Sequence, residues 1–311
     1  MAPAALFGGI EGGGTKFVCA IGRSPLEIID SISIRTRDAA TTLAECVHFF
    51  DSAQNRHGPI DAFGIACFGP IELRRESEDF GRLLPTPKAG WSGVNVLEAL
   101  RSAFRVPIAL DVDVGAAALA ELRLGAGRGC GSLAYVTVGT GIGGAVAPAH
   151  LEGRLMHAEM GHIPVRRDAR DADFAGCCPF HRDCLEGLAS GTAIHARWGC
   201  RIDSLPADHD APLIIAGYLG QLAASIALMC SAEKIVFGGG VMSDRTLHSH
   251  VRTATSNNLN GYVPALHSSE RLEQYICPPA LGPQAGIVGA LLLAQMAAAD
   301  APDPIRIQGM I

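Results

Sequence analysis

Short apolar runs separated by glycine-rich breaks set the rhythm of this chain. Leu6–Ile10, Phe17–Ile21 and Ile28–Ile34 read as three successive strands, the first two joined by Gly12-Gly13-Gly14-Thr15-Lys16. A helix is predicted from about Thr42 to Gln54, with Thr41 or Thr42 as its N-cap. Ala62–Cys67 reads as a strand ending at Phe68-Gly69-Pro70. Val94–Phe104 reads as a helix, Ile108–Leu110 as a strand behind Pro107, and Val114–Leu124 as an Ala-rich helix.

The second half opens with the same device. Leu133–Val138, the turn Gly139-Thr140-Gly141-Ile142-Gly143-Gly144, and Ala145–Ala147 echo the first strand, turn and strand. Such repetition predicts two halves of one architecture facing each other. A long apolar helix follows near Pro212–Cys230. Then come the strand Ile235–Phe237, a third glycine turn at Gly238-Gly239-Gly240, and a helix after Val241. A strand near Tyr275–Cys277, an apolar helix Gln284–Ala297 and a Pro-rich, loosely held tail from Ala301 complete the reading.

Composition narrows the classes. The 311 residues suffice for two domains, and 48% apolar against 18% charged residues excludes a disordered chain. A net charge of −6 with no basic tract argues against nucleic acid or an acidic membrane surface as partner. Apolar runs of about 20 residues are all broken by polar positions, so no membrane span is expected. Met1–Ala5 carries no basic residue, so no signal peptide is expected. Among ten cysteines, Cys19, Cys67 and Cys230 sit in apolar runs, which fits a reducing cytoplasm.

The chemistry concentrates in one region. Cys178, His181 and Cys184 form a Cys-x2-His-x2-Cys run. One further His upstream would complete a set of two thiolates and two imidazoles suited to tetrahedral zinc; the alternative is three thiol and imidazole groups that merely lie close. Glu159 and Glu186 bracket the run, as a clamp on a polyhydroxylated ligand would require. The three glycine turns each end a buried strand, where bare amides can approach phosphate oxygens, although each alone could be a tight hairpin. Gly139-x-Gly141-x-x-Gly144 matches the dinucleotide fingerprint in letters. The strand-like Ala145–Ala147 stands where that fingerprint needs a helix, and no Gly-Lys-Ser/Thr occurs. What remains is a pair of glycine β-turns, one from each half, gripping phosphates. Transfer of a phosphoryl group to a hydroxyl also needs a base. Asp113 ends a strand and opens a helix, so it can be that base or only a helix cap.

These motifs together resemble the ROK family of sugar kinases and repressors, and most closely its zinc-containing bacterial fructokinases. The likeness runs through Gly8–Phe17, Phe68–Glu72, Thr86-Pro87-Lys88-Ala89-Gly90-Trp91, Asp111–Glu121, Val138–Gly144, Glu159–His162, the metal loop and Gly238–Met242. The resemblance implies a two-lobed α/β fold of the actin-like ATPase (ribonuclease H-like) kind. One lobe would span 1–113, completed by a helix at about 284–298. The other would span 114–283 and carry a zinc loop at 162–184, leaving 299–311 as tail. It implies ATP- and Mg²⁺-dependent phosphorylation of D-fructose to fructose 6-phosphate in a cleft between lobes. A kinase of mannose or glucose, or a catalytically weak sugar sensor, is the alternative. A sugar-responsive repressor would need an N-terminal helix-turn-helix, for which a strand beginning by Leu6 leaves no room.

Roles follow by position. Asp113 matches the catalytic base. Gly69, Glu159, His162 and Glu186 match sugar-binding positions, and His162 also matches the fourth zinc ligand beside Cys178, His181 and Cys184. Gly12, Gly13, Gly14, Thr15 and Lys16 match one phosphate grip; Gly139, Thr140, Gly141 and Gly143 match the other. Gly238, Gly239 and Gly240 match the adenosine motif, and Glu11 a position near magnesium. Cys177 is off register and reads as a bystander. A homodimer is expected. Three positions depart from the family pattern: Gly115 where Asn is usual, Ala158 where Pro is usual, and Arg182 where Gly is usual.

Overall fold

Residues 5–148, 156–206 and 208–300 are described by a computed structural model; the expected tail from Ala301 lies outside them. Phe7–Gly12 (β1) turns back on itself at Gly13 and pairs antiparallel with Lys16–Ser24 (β2), which pairs in turn with Glu27–Arg35 (β3). The helix Ala39–His57 (α1) begins earlier than expected, and its N-cap is Asp38 rather than Thr41 or Thr42. The Asp38 carboxylate accepts the Thr41 amide at 2.9 Å, while the buried Thr42 hydroxyl donates to the Asp38 carbonyl. A carboxylate one turn upstream thus satisfies the orphan amide that the threonines were expected to serve. Ala62–Cys67 (β4) runs parallel to β1. The helix Val96–Ala103 (α2), capped by Asn95, starts two residues later than Val94, and Ile108–Val112 (β5) is parallel to β4. The first sheet therefore has the order β3-β2-β1-β4-β5, and Asp113–Leu124 (α3) leaves its edge.

The second sheet repeats the device. Leu133–Val138 (β6) forms an antiparallel hairpin with Ile142–Ala147 (β7). Two short helices, Leu185–Ala189 (α4) and Gly191–Trp198 (α5), follow the metal-type loop; neither was expected. After Ala211–Met229 (α6), Ile235–Gly238 (β8) lies parallel to β6. Arg245–Leu259 (α7) and Ser269–Tyr275 (α8) lead to Ile276–Cys277 (β9), giving the order β7-β6-β8-β9. Tyr275, expected in a strand, closes α8 instead.

Ala285–Asp300 (α9) then returns to the first sheet. It can lie on β4 because Gly64 has no side chain: a Cβ there would sit 1.9 Å from the Ala290 carbonyl oxygen. The residues group into two compact units. The first comprises Met1–Ala120, His150–His157 and Gln284–Ile311; the second comprises Glu121–Ala149 and Ala158–Pro283. The segments Ala211–Met229 and Gly282–Asp300 are long and apolar enough to cross a membrane, with mean hydropathy 1.7 and 1.3. Both are core helices: Ile215, Leu219 and Ala223 of α6 and Ala290, Leu291 and Ala294 of α9 are fully buried within their own units.

Candidate active site

In the first unit the β1–β2 turn is shaped by tethered carbonyls. The Gly13 amide closes the turn onto the Lys16 carbonyl at 2.9 Å. The Thr36 hydroxyl donates to the Gly13 carbonyl at 2.7 Å, its amide donates to the Thr15 carbonyl, and Lys88 Nζ donates to the Gly14 carbonyl at 2.6 Å. The Lys88 carbonyl accepts the amide of Trp91 at 3.2 Å, and Trp91 is fully buried, stacks on Phe17 at 5.2 Å and donates its indole N–H to the Arg37 carbonyl. Glu11, at the end of β1, meets the start of α9, where the Ile287 amide faces its carboxylate. Burial, then the nearby Asp113 charge, raises the Glu11 carboxyl to about 7, against the lowering pull of Lys16.

Asp113 opens α3, and its Oδ1 accepts the Val114 amide at 2.8 Å. Desolvation pushes its carboxyl above the ordinary carboxylate range. Two buried carboxylates, one of which raises the other, suit a divalent cation, which would offset both charges. Gly115 has its own local cause. A Cβ there would lie 2.6 Å from both oxygens of Asp111, whose carboxyl burial raises to about 6. The Asp111 side chain thus occupies the space a larger residue 115 would need. Gly69 lies against His157, whose Nε2 accepts the Ile71 amide at 3.2 Å.

In the second unit the β6–β7 turn is tethered in the same manner. The Gly139 amide closes onto the Gly141 carbonyl, the Gly191 amide donates to the Gly139 carbonyl at 2.7 Å, and the Thr192 hydroxyl donates to the Thr140 carbonyl at 2.8 Å. Glu186, in the first turn of α4, accepts the Ile142 amide at 2.8 Å through Oε2. A 3₁₀ turn at Met160–His162 follows Glu159 and packs so closely on β7 that a Cβ at Gly161 would lie 2.0 Å from the Ile142 carbonyl oxygen. Glu159, His162, Glu186 and the Gly139–Gly144 turn are therefore parts of one frame. Gly239, at φ +91°, swings the chain out of β8 into a 3₁₀ turn starting at Gly240. A cavity of about 630 Å³ is lined by Gly139, Thr140 and Gly240 together with Thr192, His195 and Arg201. Sequence reasoning missed those last three. The Ser190-Gly191-Thr192 start was the available signal, since Ser190 caps α5 by accepting the Ala193 amide.

The metal-type loop closes into a hairpin by reciprocal backbone bonds between Cys178 and Arg182, at 3.1 and 2.9 Å. Arg182 sits at φ +60°, left-handed backbone that costs a non-glycine residue roughly 1–2 kcal/mol, which explains the usual Gly at this position. His162, Cys178, His181 and Cys184 offer one ligand atom each, all within 4.8 Å of one another. Sulfur-to-nitrogen separations are 3.7 Å for Cys178–His162, 3.9 Å for Cys178–His181 and 3.6 Å for Cys184–His162. A zinc tetrahedron with Zn–S near 2.3 Å and Zn–N near 2.0–2.1 Å has edges of about 3.6 Å between such atoms, so the donor set fits that ion. Burial raises the Cys184 thiol to about 11, and a cation beside it would offset the cost of its thiolate. Cys177 stands outside the quartet.

The expected site residues thus fall into two groups. Glu11, Gly12–Lys16, Gly69 and Asp113 belong to the first unit; Gly139–Gly144, Glu159, His162, Glu186, Gly238–Gly240 and the metal-type quartet belong to the second. Two sheets, each opened by a hairpin whose turn presents backbone amides, define an actin-like ATPase fold with a Cys/His cluster in its second unit. The chain belongs to the ROK family, whose signature matches residues 7–297. It is 42% identical to a fructokinase of Zymomonas mobilis over 297 residues, covering 93% of this chain and 96% of the relative. It is 38% identical to a fructokinase of Pediococcus pentosaceus over 299 residues, covering 95% and 100%. Among solved structures, the ROK hexokinase from Thermus thermophilus superimposes with a TM-score of 0.74 at 25% identity, covering 95% of this chain and 100% of that one.

Proposed function

We propose that the protein transfers the γ-phosphoryl group of ATP to the 6-hydroxyl of D-fructose. That it is a hexose kinase rests on the ROK family match and on the fructokinase relatives. One observation carries the site reading: both hairpin turns have their carbonyls tied back into the protein, as a phosphate cradle requires. The fructose assignment is supported by those relatives and by the Cys-x2-His-x2-Cys quartet.

In this reading Asp113 accepts the proton of the fructose 6-hydroxyl as that oxygen bonds to the γ-phosphorus and the bond to the ADP oxygen breaks. The proton later passes to water. Its raised pKa strengthens it as a base. Glu159, His162, Glu186 and Gly69 hold the sugar; the turns at Gly12–Lys16 and Gly139–Gly144 hold the phosphates; Gly238–Gly240 meets the adenosine. Mg²⁺ near Glu11 would offset phosphate charge. Zinc on His162, Cys178, His181 and Cys184 would be structural, because four protein ligands leave no open position. A homodimer in a reducing cytoplasm belongs to the same proposal, and all ten cysteines are free.

A second reading, a kinase of mannose or glucose, is favoured by Gly115, which supplies no side-chain bond to a sugar. Steady-state kinetics with ATP over fructose, mannose and glucose, in the parent and in Asp113→Asn, test both. We expect kcat/KM to be highest for fructose, and Asp113→Asn to lower kcat by about 10²–10⁴ while nucleotide binding persists. A preference for mannose or glucose would remove fructose and leave the kinase. A kcat within about threefold of the parent would reduce Asp113 to a helix cap.

A further inference from the structure

We propose that Thr36 and Thr192 are positioning residues for the nucleotide, each fixing the orientation of one peptide in a phosphate-type turn. The proposal rests on the reading of the two turns as phosphate grips. A trans peptide is planar, with the carbonyl of one residue and the amide of the next pointing in opposite directions. Tying a carbonyl inward therefore aims the following amide outward.

The tethers obey that rule in both units. Thr36 binds the Gly13 carbonyl, and Lys88 binds the Gly14 carbonyl. The Gly14 and Thr15 amides, which belong to those same two peptides, meet no protein acceptor among the described residues. In the second unit Gly191 binds the Gly139 carbonyl and Thr192 binds the Thr140 carbonyl. The Thr140 and Gly141 amides are the ones left without a protein acceptor among the described residues. Each turn is also closed by the amide of its first tethered residue, from Gly13 to Lys16 and from Gly139 to Gly141. Each threonine adds a second hold through its own amide, at 3.0 Å to Thr15 and 3.4 Å to Thr140.

Peptides flanked by glycine rotate readily, and a rotated peptide would aim a carbonyl oxygen at a phosphate. The hydroxyl tethers remove that alternative before the ligand arrives, which is preorganisation. Thr36 is only 7% exposed, so its hydroxyl acts through Gly13 and not by touching a ligand.

The test compares Thr36→Val, Thr36→Ser, Thr192→Val and Thr192→Ser by calorimetric titration with MgADP, in the absence of sugar. Both Val variants should bind MgADP about 3- to 10-fold more weakly, the size of one hydrogen bond. The Ser variants, which keep the hydroxyl, should stay within about twofold of the parent. KM for fructose at saturating ATP should not move. Thr192 is exposed on the first turn of α5, so its variants remain informative if Thr36→Val fails to fold. Parent-like affinity in a folded Val variant, or equal losses in Val and Ser variants, would overturn the proposal while leaving the kinase reading intact. A parent protein that binds no MgADP would overturn the kinase reading, and this proposal with it.

Discussion

Gly115→Ala places a methyl group where the Asp111 carboxylate now lies. Both carboxylate oxygens are 2.6 Å from the ideal Cβ, against an ordinary contact of 3.4 Å or more, so the group must retreat by roughly 0.8 Å. Its Oδ1 accepts the Val112 amide at 2.7 Å, and that retreat would break the bond, at about 1 kcal/mol. Overpacking adds about 1–3 kcal/mol. Replacing glycine within α3 returns only about 0.5–1 kcal/mol. The net expectation is destabilisation by about 1–3 kcal/mol, read as a fall of several degrees in the thermal midpoint. In an Asp111→Ala background the obstacle is gone, and the same change should be neutral or stabilising by up to about 1 kcal/mol. The assay is a double-mutant cycle by thermal unfolding. Equal destabilisation in both backgrounds, or a gain in the parent, would refute the steric argument. By the same geometry, Gly115→Asn should weaken the protein and not improve its hold on sugar.

Two further outcomes are expected. Protein purified without chelator should carry one zinc per chain by elemental analysis, and a Cys178→Ala, Cys184→Ala variant should lose it together with thermal stability; zinc-free active parent protein would exclude a structural metal. Asp111 has a folded-state pKa of about 6, above its ordinary 3.8. The native state therefore binds the proton more tightly than the unfolded state, so stability falls as pH rises from about 4 to about 6, and the penalty is complete above that. Asp111→Asn should consequently match the parent near pH 4 and exceed it at pH 8 by about 1–3 kcal/mol, discounted for partial exposure. An advantage confined to pH 4 would contradict the assignment.

What could be read from the sequence was what is local. Both hairpins were legible because apolar runs abut glycine turns, and their parallel neighbours β4 and β8 because buried strands are almost wholly apolar. Three members of the metal-type quartet were legible from a run spanning Cys178 to Cys184. Contacts that join distant residues left no local mark. Nothing in the spacing ties Glu186 to the Ile142 amide, Thr36 to the Gly13 carbonyl, or Asp111 to the space at Gly115. The cap of α1 was misplaced because Asp38 and the two threonines are all competent acceptors, and only the start of the helix decides among them. Helices α4 and α5 are too short to show a period and were not anticipated.

The helix α9 also sets an order of events during synthesis. The sheet of β1 to β5 needs Ala290 and Leu291 against Gly64 and Gly9 to close one of its faces. Those residues are translated after the whole of Glu121–Ala149 and Ala158–Pro283, which make up the second unit. The unit that starts first is therefore the one that finishes last. A nascent chain must hold an uncovered apolar sheet face while its later-made neighbour is already complete.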